Sequence, residues 1–408
     1  MAFSATTLTA LQRAQVSANI EVPAEPCGVL DGCNLKFDDK GAAIGQVCVV
    51  PVVVPSVSTQ ATPSNVPPTG TAQTPINAQV TITNVPEQSM IFTGEDLKLL
   101  DTIDSREEIL KQFIAQAERS HRNEMDAAAA SAISYAGSRA VGKAGTIPFA
   151  TDLSALTAAR KILRNNGAPM ADVQVCTSVD AYANLLNQNV IQKAQEAGSD
   201  QERRTGIIRS QFGLTAIRES ANISDHTAGA GTGYVLNGNH AKGAKALILK
   251  SGTVNVTGIQ IGDIIQVTGD PNYYVVTYAP GTSTAKQTIT DSNLLATSGT
   301  IYIGNPGLRV AAAGNTAITI LSGTTANGVV GYTPSFAFER HTAVGVIRPP
   351  VQPMPSPFYT ILEPITDKFG YTYLFGEANQ NFQVSWFVWV CYGFSVTQSE
   401  YVVSIIGN

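Results

Sequence analysis

Charge is scarce in this chain. Of its 408 residues only 14% are Asp, Glu, Lys or Arg, and 26 basic against 31 acidic side chains leave a formal charge of −5. A protein that grips nucleic acid draws its affinity from neutralising many phosphates, so this balance argues against that class. Metal-binding and disulfide signals are thin as well. The five cysteines (Cys27, Cys33, Cys48, Cys176 and Cys391) include no CxxC pair and the four histidines are scattered, which excludes a disulfide scaffold or a zinc site and fits a reduced cytoplasmic origin. The three early cysteines leave later oxidation open as an alternative. Long apolar runs are missing too. The most apolar stretch, Val47 to Val54, is broken by Pro51 and falls short of the roughly 20 residues a membrane helix needs. Met1 to Ala10 has neither a basic start nor an apolar core, so no secretory signal and no membrane partner is expected, and the protein reads as soluble.

What the chain does have is turn formers, 35 glycines and 21 prolines, a composition that favours strands over helical bundles. Its length allows two or three folded units. Residues 41–86 carry no charged side chain and seven prolines (Pro51, Pro55, Pro63, Pro67, Pro68, Pro75 and Pro86), which exclude a helix there. The apolar pieces Val47 to Val54 and Ala78 to Val85 predict two strands of a long hairpin around a Ser/Thr/Pro-rich tip. A solvated linker is the competing reading, and the alternation at Val80, Ile82 and Val85 is what such a linker does not need.

From Glu95 the character changes. Ser105 with Glu108 makes a capping box, and an Ala/Glu/Arg-rich run continues without proline to about Ala140. About 35 helical residues span about 50 Å. Ile109, Phe113, Ala117 and Ala127 to Ala130 form a narrow apolar stripe, the pattern of a strut lying across a sheet. Its charges Glu118, Arg119, Arg122, Glu124 and Asp126 read either as a solvated face or as contacts to neighbouring subunits. Asp152 and Ser178 are placed to cap two shorter helices around a buried strand at Val173 and Val175, a compact α/β unit. After Ser220 the chain turns to strands at Ala246 to Leu249, Ile264 to Val267, Tyr273 to Tyr278, Thr300 to Ile303 and Ala317 to Leu321, punctuated by turn residues. They predict a small antiparallel barrel or sandwich, inserted as an independent unit. Beyond Phe336, the strands Tyr371 to Phe375 and Val384 to Tyr392 are apolar on both faces and predict the completion of the interrupted sheet.

No catalytic constellation stands out. Gly229 to Gly233 lacks the glycine and the GK[ST] that phosphate loops require and reads as a flexible junction, with Tyr234 where a fingerprint glycine belongs. His341 beside Glu339 and Arg340 has the composition of an acid/base group but reads more simply as a strand with its polar side in solvent, and His121 sits in a charged helix. No enzyme, metal or cofactor is expected.

Gly206-Ile207-Ile208 with Phe212-Gly213 and Glu219-Ser220, then Gly262-Asp263 with Tyr274-Val275-Val276, then Phe338-Glu339-Arg340-His341 leading to Arg348-Pro349, and last Tyr392-Gly393 with Glu400, occur in an order that resembles the Hong Kong 97-type major capsid proteins of tailed bacteriophages. The closer likeness is to those with an inserted β-barrel, although Gln398-Ser399 stands where an Arg-Pro is common. The resemblance implies an α+β fold divided as follows: an N-terminal arm (1–40), an extended hairpin (41–94), a spine helix with a peripheral domain (95–150), a first part of an apical domain (151–228), the inserted barrel (229–334), and the completion of the apical and peripheral domains (335–408). It further implies a shell subunit that forms hexamers and pentamers around double-stranded DNA without reading its sequence, a neutral to acidic wall that does not hold the polymer, a scaffolding protein and a portal as partners, and a decoration protein as a further candidate. The localisation implied is the virion, after assembly in the host bacterial cytoplasm. Val52, Val54, Val80, Ile82 and Val85 of the hairpin, and Glu118, Arg119, Arg122 and Glu124 of the helix, are the candidate inter-subunit contacts. An encapsulin-like nanocompartment shell and a secreted β-rich adhesin or surface-layer protein remain the alternatives. The segment from about Gly229 to Pro334 speaks against the first, and the strut-like helix against the second.

Overall fold

A computed structural model describes residues 25–37, 41–52, 76–96, 98, 106–192, 205, 207–208, 210–252, 258–277, 299–324, 328, 330–351 and 359–407. Its centre is a mixed sheet in which Ala216–Ser220, Val173–Ser178, Ser335–Glu339, Val402–Ile405 and Arg139–Val141 lie side by side. Val173–Ser178 pairs in parallel with Ala216–Ser220 and antiparallel with Ser335–Glu339, so Ser335–Glu339 and Val402–Ile405 complete the sheet begun before the insertion. The strands expected to do so, near 371–375 and 384–392, lie in a separate sheet because their partners are each other and Glu87–Thr93. Alternation along these strands splits the core in two. Val175, Ala337 and Val403 face the helices Ser154–Asn165 and Val179–Leu186, where Leu156, Leu163, Tyr182 and Leu185 are buried. Cys176, Phe336, Phe338 and Val402 face the other way, onto Val29, Ala129, Ala130 and Ile133. The second helix starts where capping chemistry predicts, with the Ser178 hydroxyl accepting from the Ala181 N–H at 3.3 Å. The first starts one residue later than predicted: Leu153 is its N-cap, and Asp152 lies just outside it, accepting from the Ser154 backbone N–H at 2.9 Å.

The long helix runs Arg106–Ser134, 29 residues, shorter than the sequence pattern predicts; Ser105 of the capping box lies outside the described residues. It lies across a four-stranded antiparallel sheet ordered Tyr359–Thr366, Thr372–Gln380, Gln383–Trp389, Glu87–Thr93. Phe113, Ile114, Ala117 and Met125 pack on Tyr373, Phe375, Trp386 and Val388 of that sheet. The burial is wider than a stripe: Lys111, Glu118, His121, Arg122 and Asp126 are buried too.

The predicted hairpin is present as a ribbon, Val47–Val52 antiparallel to Ile76–Thr81, while its tip lies outside the described residues. Its base docks on the strand Cys391–Val396. The Thr83 and Asn84 N–H groups donate to the Tyr392 carbonyl, and the Tyr392 N–H donates to the Asn84 carbonyl. Gly393 makes the approach possible, since a β-carbon there would stand 2.1 Å from the Thr81 carbonyl oxygen.

In the insertion, the hydrogen-bonded path runs Val235–Leu236, Ala246–Lys250, Gly299–Ile303, Tyr273–Thr277, Ile264–Val267, Ile318–Leu321. Its two ends meet. The Ile318 N–H donates to Tyr234 and the Leu236 N–H to Thr316, around an interior of Leu247, Leu249, Ile265, Val267, Tyr274 and Ile301. The insertion is not independent of the core. Tyr273 and Tyr274 pair with Ala140 and Arg139, which makes its strands continuous with the central sheet. Nor is Gly229 to Gly233 a loose junction: Gly229 is buried and its N–H donates to Asp263.

Gly393→Ala is expected to force the ribbon base off its strand at a cost of about 1–3 kcal/mol, the range for overpacking a close contact. Urea denaturation measures the loss, and new protease cleavage between 41 and 86 reports the released ribbon. An unchanged midpoint would show that the close approach is not needed.

Candidate subunit-contact surfaces

The helix charges expected on an outer face are turned onto the same chain. Residues 25–37 fold back along the helix and supply the partners. Arg119 binds Glu25 through Nε at 2.9 Å to each carboxylate oxygen and through Nη2, and Asn123 donates to the same carboxylate at 2.8 Å. Together they pull the Glu25 carboxyl down to about 2. The Arg122 guanidinium lies 3.5 Å from the centre of the Phe369 ring and reaches Asp31 at 3.2 Å. Asp126 is fully buried and accepts from the Leu30 N–H at 2.7 Å, the Ser220 hydroxyl at 2.5 Å and the Asn222 amide at 3.2 Å. Burial nonetheless pushes its carboxyl up. The Tyr392 hydroxyl donates to Glu124 at 2.9 Å and accepts from the Asn84 amide at 3.0 Å, tying helix, closing strand and ribbon base together.

Glu118 is buried beside Asp367, and desolvation followed by that neighbouring charge raises its carboxyl to about 8. Asp367 accepts from the Phe369 and Tyr371 N–H groups and from the Tyr373 hydroxyl. His121 stacks on Tyr373 with Nε2 3.1 Å from the Val388 carbonyl, and burial lowers its pKa. It is a core histidine. His341 is exposed in a turn rather than set in a strand.

The hairpin candidates divide. Val80 and Ile82 are fully buried under this chain's own Val344, Val346 and Cys391, so they face its own core and are closed to a neighbour. Cys48, Val50 and Val85 lean on the same cluster, Val52 is half-buried, and Val54 lies outside the described residues. The opposite face of the ribbon is open. Val47 and Val49 are 43% and 49% exposed, cross-strand from Thr81 and Gln79.

One exposed apolar residue was not legible as a candidate. Phe382 is 97% exposed at the tip of the hairpin joining Thr372–Gln380 to Gln383–Trp389. Gln380 pairs with Gln383, so Asn381 and Phe382 form a two-residue loop, with φ of 51° and 60°. Such loops favour Asn-Gly, and a bulky residue in the second position is strained. The signal was a Phe following Asn where a glycine belongs. Ile91, 59% exposed, lies in the neighbouring edge strand. All five cysteines are free thiols. Among the described residues no cluster of His, Cys, Asp or Glu is composed to hold a metal, and no helix is long and apolar enough to cross a membrane.

No described protein family and no curated protein matches the chain. Among solved structures it is similar to one described as the capsid structure of the cyanophage P-SCSP1u, at 12% identity over 95% of this chain and 89% of that one, with a TM-score of 0.49. It is similar to one from Mycobacterium phage Che8 at 12% identity, 94% and 92% coverage and a TM-score of 0.44. A third is a virus-like particle from Pyrococcus furiosus, at 9% identity, 98% and 99% coverage and a TM-score of 0.40. These are likenesses of chain course, and none supplies a residue role.

Two outcomes are expected from this geometry. Glu118 is protonated in the fold up to about pH 8 and ionised in the unfolded chain above about 4.5, so its stabilising effect is full below 4.5 and is lost as pH rises through 8. Glu118→Gln therefore stabilises the protein at pH 9 relative to wild type, on the order of a few kcal/mol, and makes little difference at pH 4.5. Equal effects at both pH values in denaturant titrations would refute this. Phe382→Gly relieves the positive φ and stabilises the fold against unfolding by about 1 kcal/mol; a lower melting temperature would mean that the ring is supported by its own chain.

Proposed function

We propose that this chain is the structural subunit of an icosahedral phage head, a shell protein of the Hong Kong 97-type fold that carries a closed six-stranded barrel as its insertion. The observation that carries the reading is the ribbon. Its inner face is consumed by the chain's own core at the base, and its outer face presents Val47 and Val49 to solvent within a stretch free of charge. An extended, uncharged apolar strand face is a liability on a solitary protein and a contact on a repeated one. Phe382 adds a second apolar projection at a place where backbone strain opposes keeping it.

The chemistry that follows is assembly. Modest contacts repeated around each subunit sum to a stable cage, with hexamers and pentamers as the intermediate rings. The weak net acidity suits a wall that encloses double-stranded DNA without holding it. A scaffolding protein, a portal and a decoration protein are the partners this role calls for, the virion is its location, and the host bacterial cytoplasm its place of assembly. No chemical reaction is assigned to it.

An encapsulin-like nanocompartment is the second reading, favoured by the likeness to a virus-like particle. The strands between Val235 and Leu321 weigh against it, since such shells are expected to lack an inserted barrel.

Electron microscopy of the purified protein tests the proposal. Closed icosahedral particles tens of nanometres across are the expected result, and a persistent monomer even with a scaffold supplied is the result that overturns it. The double variant Val47→Asp, Val49→Asp is expected to keep the subunit's melting temperature and lose the particles, because exposed sites tolerate charge in the monomer but not when buried against a neighbour.

A further inference from the structure

The neck of the insertion holds a feature that shell building does not use. The two connecting strands, His226–Thr227 and Val330–Tyr332, pair with each other, and a cleft of about 240 Å³ opens between residues 223–227 on the approach to the first of them and the C-terminal turns of the long helix. At its wall, His226 Nε2 lies 2.8 Å from the fully buried carboxylate of Asp263. That carboxylate also receives the Gly229 and Gln260 backbone N–H groups. Backbone N–H can only donate, so Asp263 is the acceptor throughout and Nε2 carries the hydrogen. The tautomer is thereby fixed, and Nδ1 is left as a lone-pair acceptor on the ring that lines the cleft. The side chain is 9% exposed, and among the described residues nothing bonds Nδ1.

The surroundings share one electrostatic sign. Asp225, which accepts from the Thr333 hydroxyl at 2.5 Å, is an ionisable neighbour on the wall, and no Lys or Arg is among the described residues that line it. Ser131 and Ser134 come from the last turns of the long helix, whose final turn has no basic residue. A helix C-terminus is the negative end of its dipole. A bare metal ion is poorly served, because no group of three or more His, Cys, Asp or Glu side chains converges among the described residues. The cleft is also larger than an ion needs, and Ile223 and Phe336 give it an apolar side.

We propose that this cleft binds a primary alkylammonium group. Its N–H donors are met by His226 Nδ1, the Asp225 carboxylate and the serine hydroxyls, and its alkyl stem lies along Ile223 and Phe336. The group belongs either to a free amine or to a lysine side chain of another subunit; the ligand chemistry is the same.

The test uses the full-length unassembled subunit with nitrogen-15-labelled histidine, which places the label at only four imidazoles. Titration with n-butylammonium chloride is expected to shift the His226 Nδ1 resonance saturably in the millimolar range. Tetramethylammonium chloride, a cation without N–H donors, is expected to leave it unmoved. Asp225→Asn keeps an acceptor for the Thr333 hydroxyl yet removes the charge, and is expected to weaken binding about tenfold or more. Ser131→Met fills the cleft from a helical position and is expected to abolish binding. No saturable shift, an equal response to tetramethylammonium, or unweakened binding in a folded Asp225→Asn protein would each overturn the proposal. Should Ser131→Met fail to fold, Asp225→Asn and the tetramethylammonium control still decide it. Repeating the titration on particles separates the sources: retained binding identifies a free amine, and binding lost on assembly identifies a neighbour's lysine. The subunit titration does not depend on the shell reading, so failure of particles to form counts against that reading alone.

Discussion

A carboxylate taken out of water has to be met by donors from whatever packs around it, or the packing does not hold. At Asp126 those donors come from three parts of the chain far apart in sequence: the Leu30 backbone of the N-terminal segment, the Ser220 hydroxyl at the end of a core strand, and the Asn222 amide at the approach to the insertion. This one side chain fixes where the long helix stands relative to all three. Its helical neighbours extend the same logic in both directions. Arg119 and Arg122 hold residues 25–31, and Glu124 reaches the ribbon base through Tyr392. The helix is therefore less a strut resting on a sheet than the hub to which arm, core, closing strand and ribbon are tied.

The central sheet shows the same economy of connection. With Val175 facing one core and Cys176 the other, each strand serves two packed layers. The edge at Arg139 and Ala140 continues through backbone pairing into Tyr274 and Tyr273 of the insertion. The neck then adds side-chain ties, His226 to Asp263 and the Tyr332 hydroxyl to the Gly262 carbonyl. An insertion joined by main-chain hydrogen bonds and a buried side-chain hydrogen bond moves with the core, whereas one joined by two loops alone would not.

Local period and punctuation were legible in the sequence because they depend on neighbours in the chain. The insertion strands at Ala246–Lys250, Ile264–Val267 and Gly299–Ile303 fall within a residue of where alternation and turn residues put them, and Ser178 caps its helix as its type predicts, while Asp152 falls one residue short of the cap position. What could not be read was the partner of each polar group. Glu118, Arg119 and Arg122 look like any solvated helix face, because the residues that cover them lie in segments with no periodic relation to the helix. For the same reason the alternation at Val80 and Ile82 announced a strand with a buried face without saying whose core would bury it. Edge pairing between Tyr273 and Ala140 is likewise invisible to a period of two, which marks a strand but not its neighbour.

The resulting distribution inverts the usual one, with charges drawn inward along the helix and apolar side chains left outward on the ribbon and at Phe382. The two kinds of interaction have different tolerances. Hydrogen bonds and ion pairs are directional, and a buried one that is misaligned leaves an expensive unpaired group, so an interior tied by them adopts one geometry. Apolar contact depends on area removed from water and changes little when two surfaces rotate by a few degrees. The proposed shell role would place identical chains at five-fold and six-fold positions, where the same subunit meets its neighbours at slightly different angles. For that proposed role, a body fixed by directional bonds with a non-directional face turned outward would satisfy both demands with one sequence.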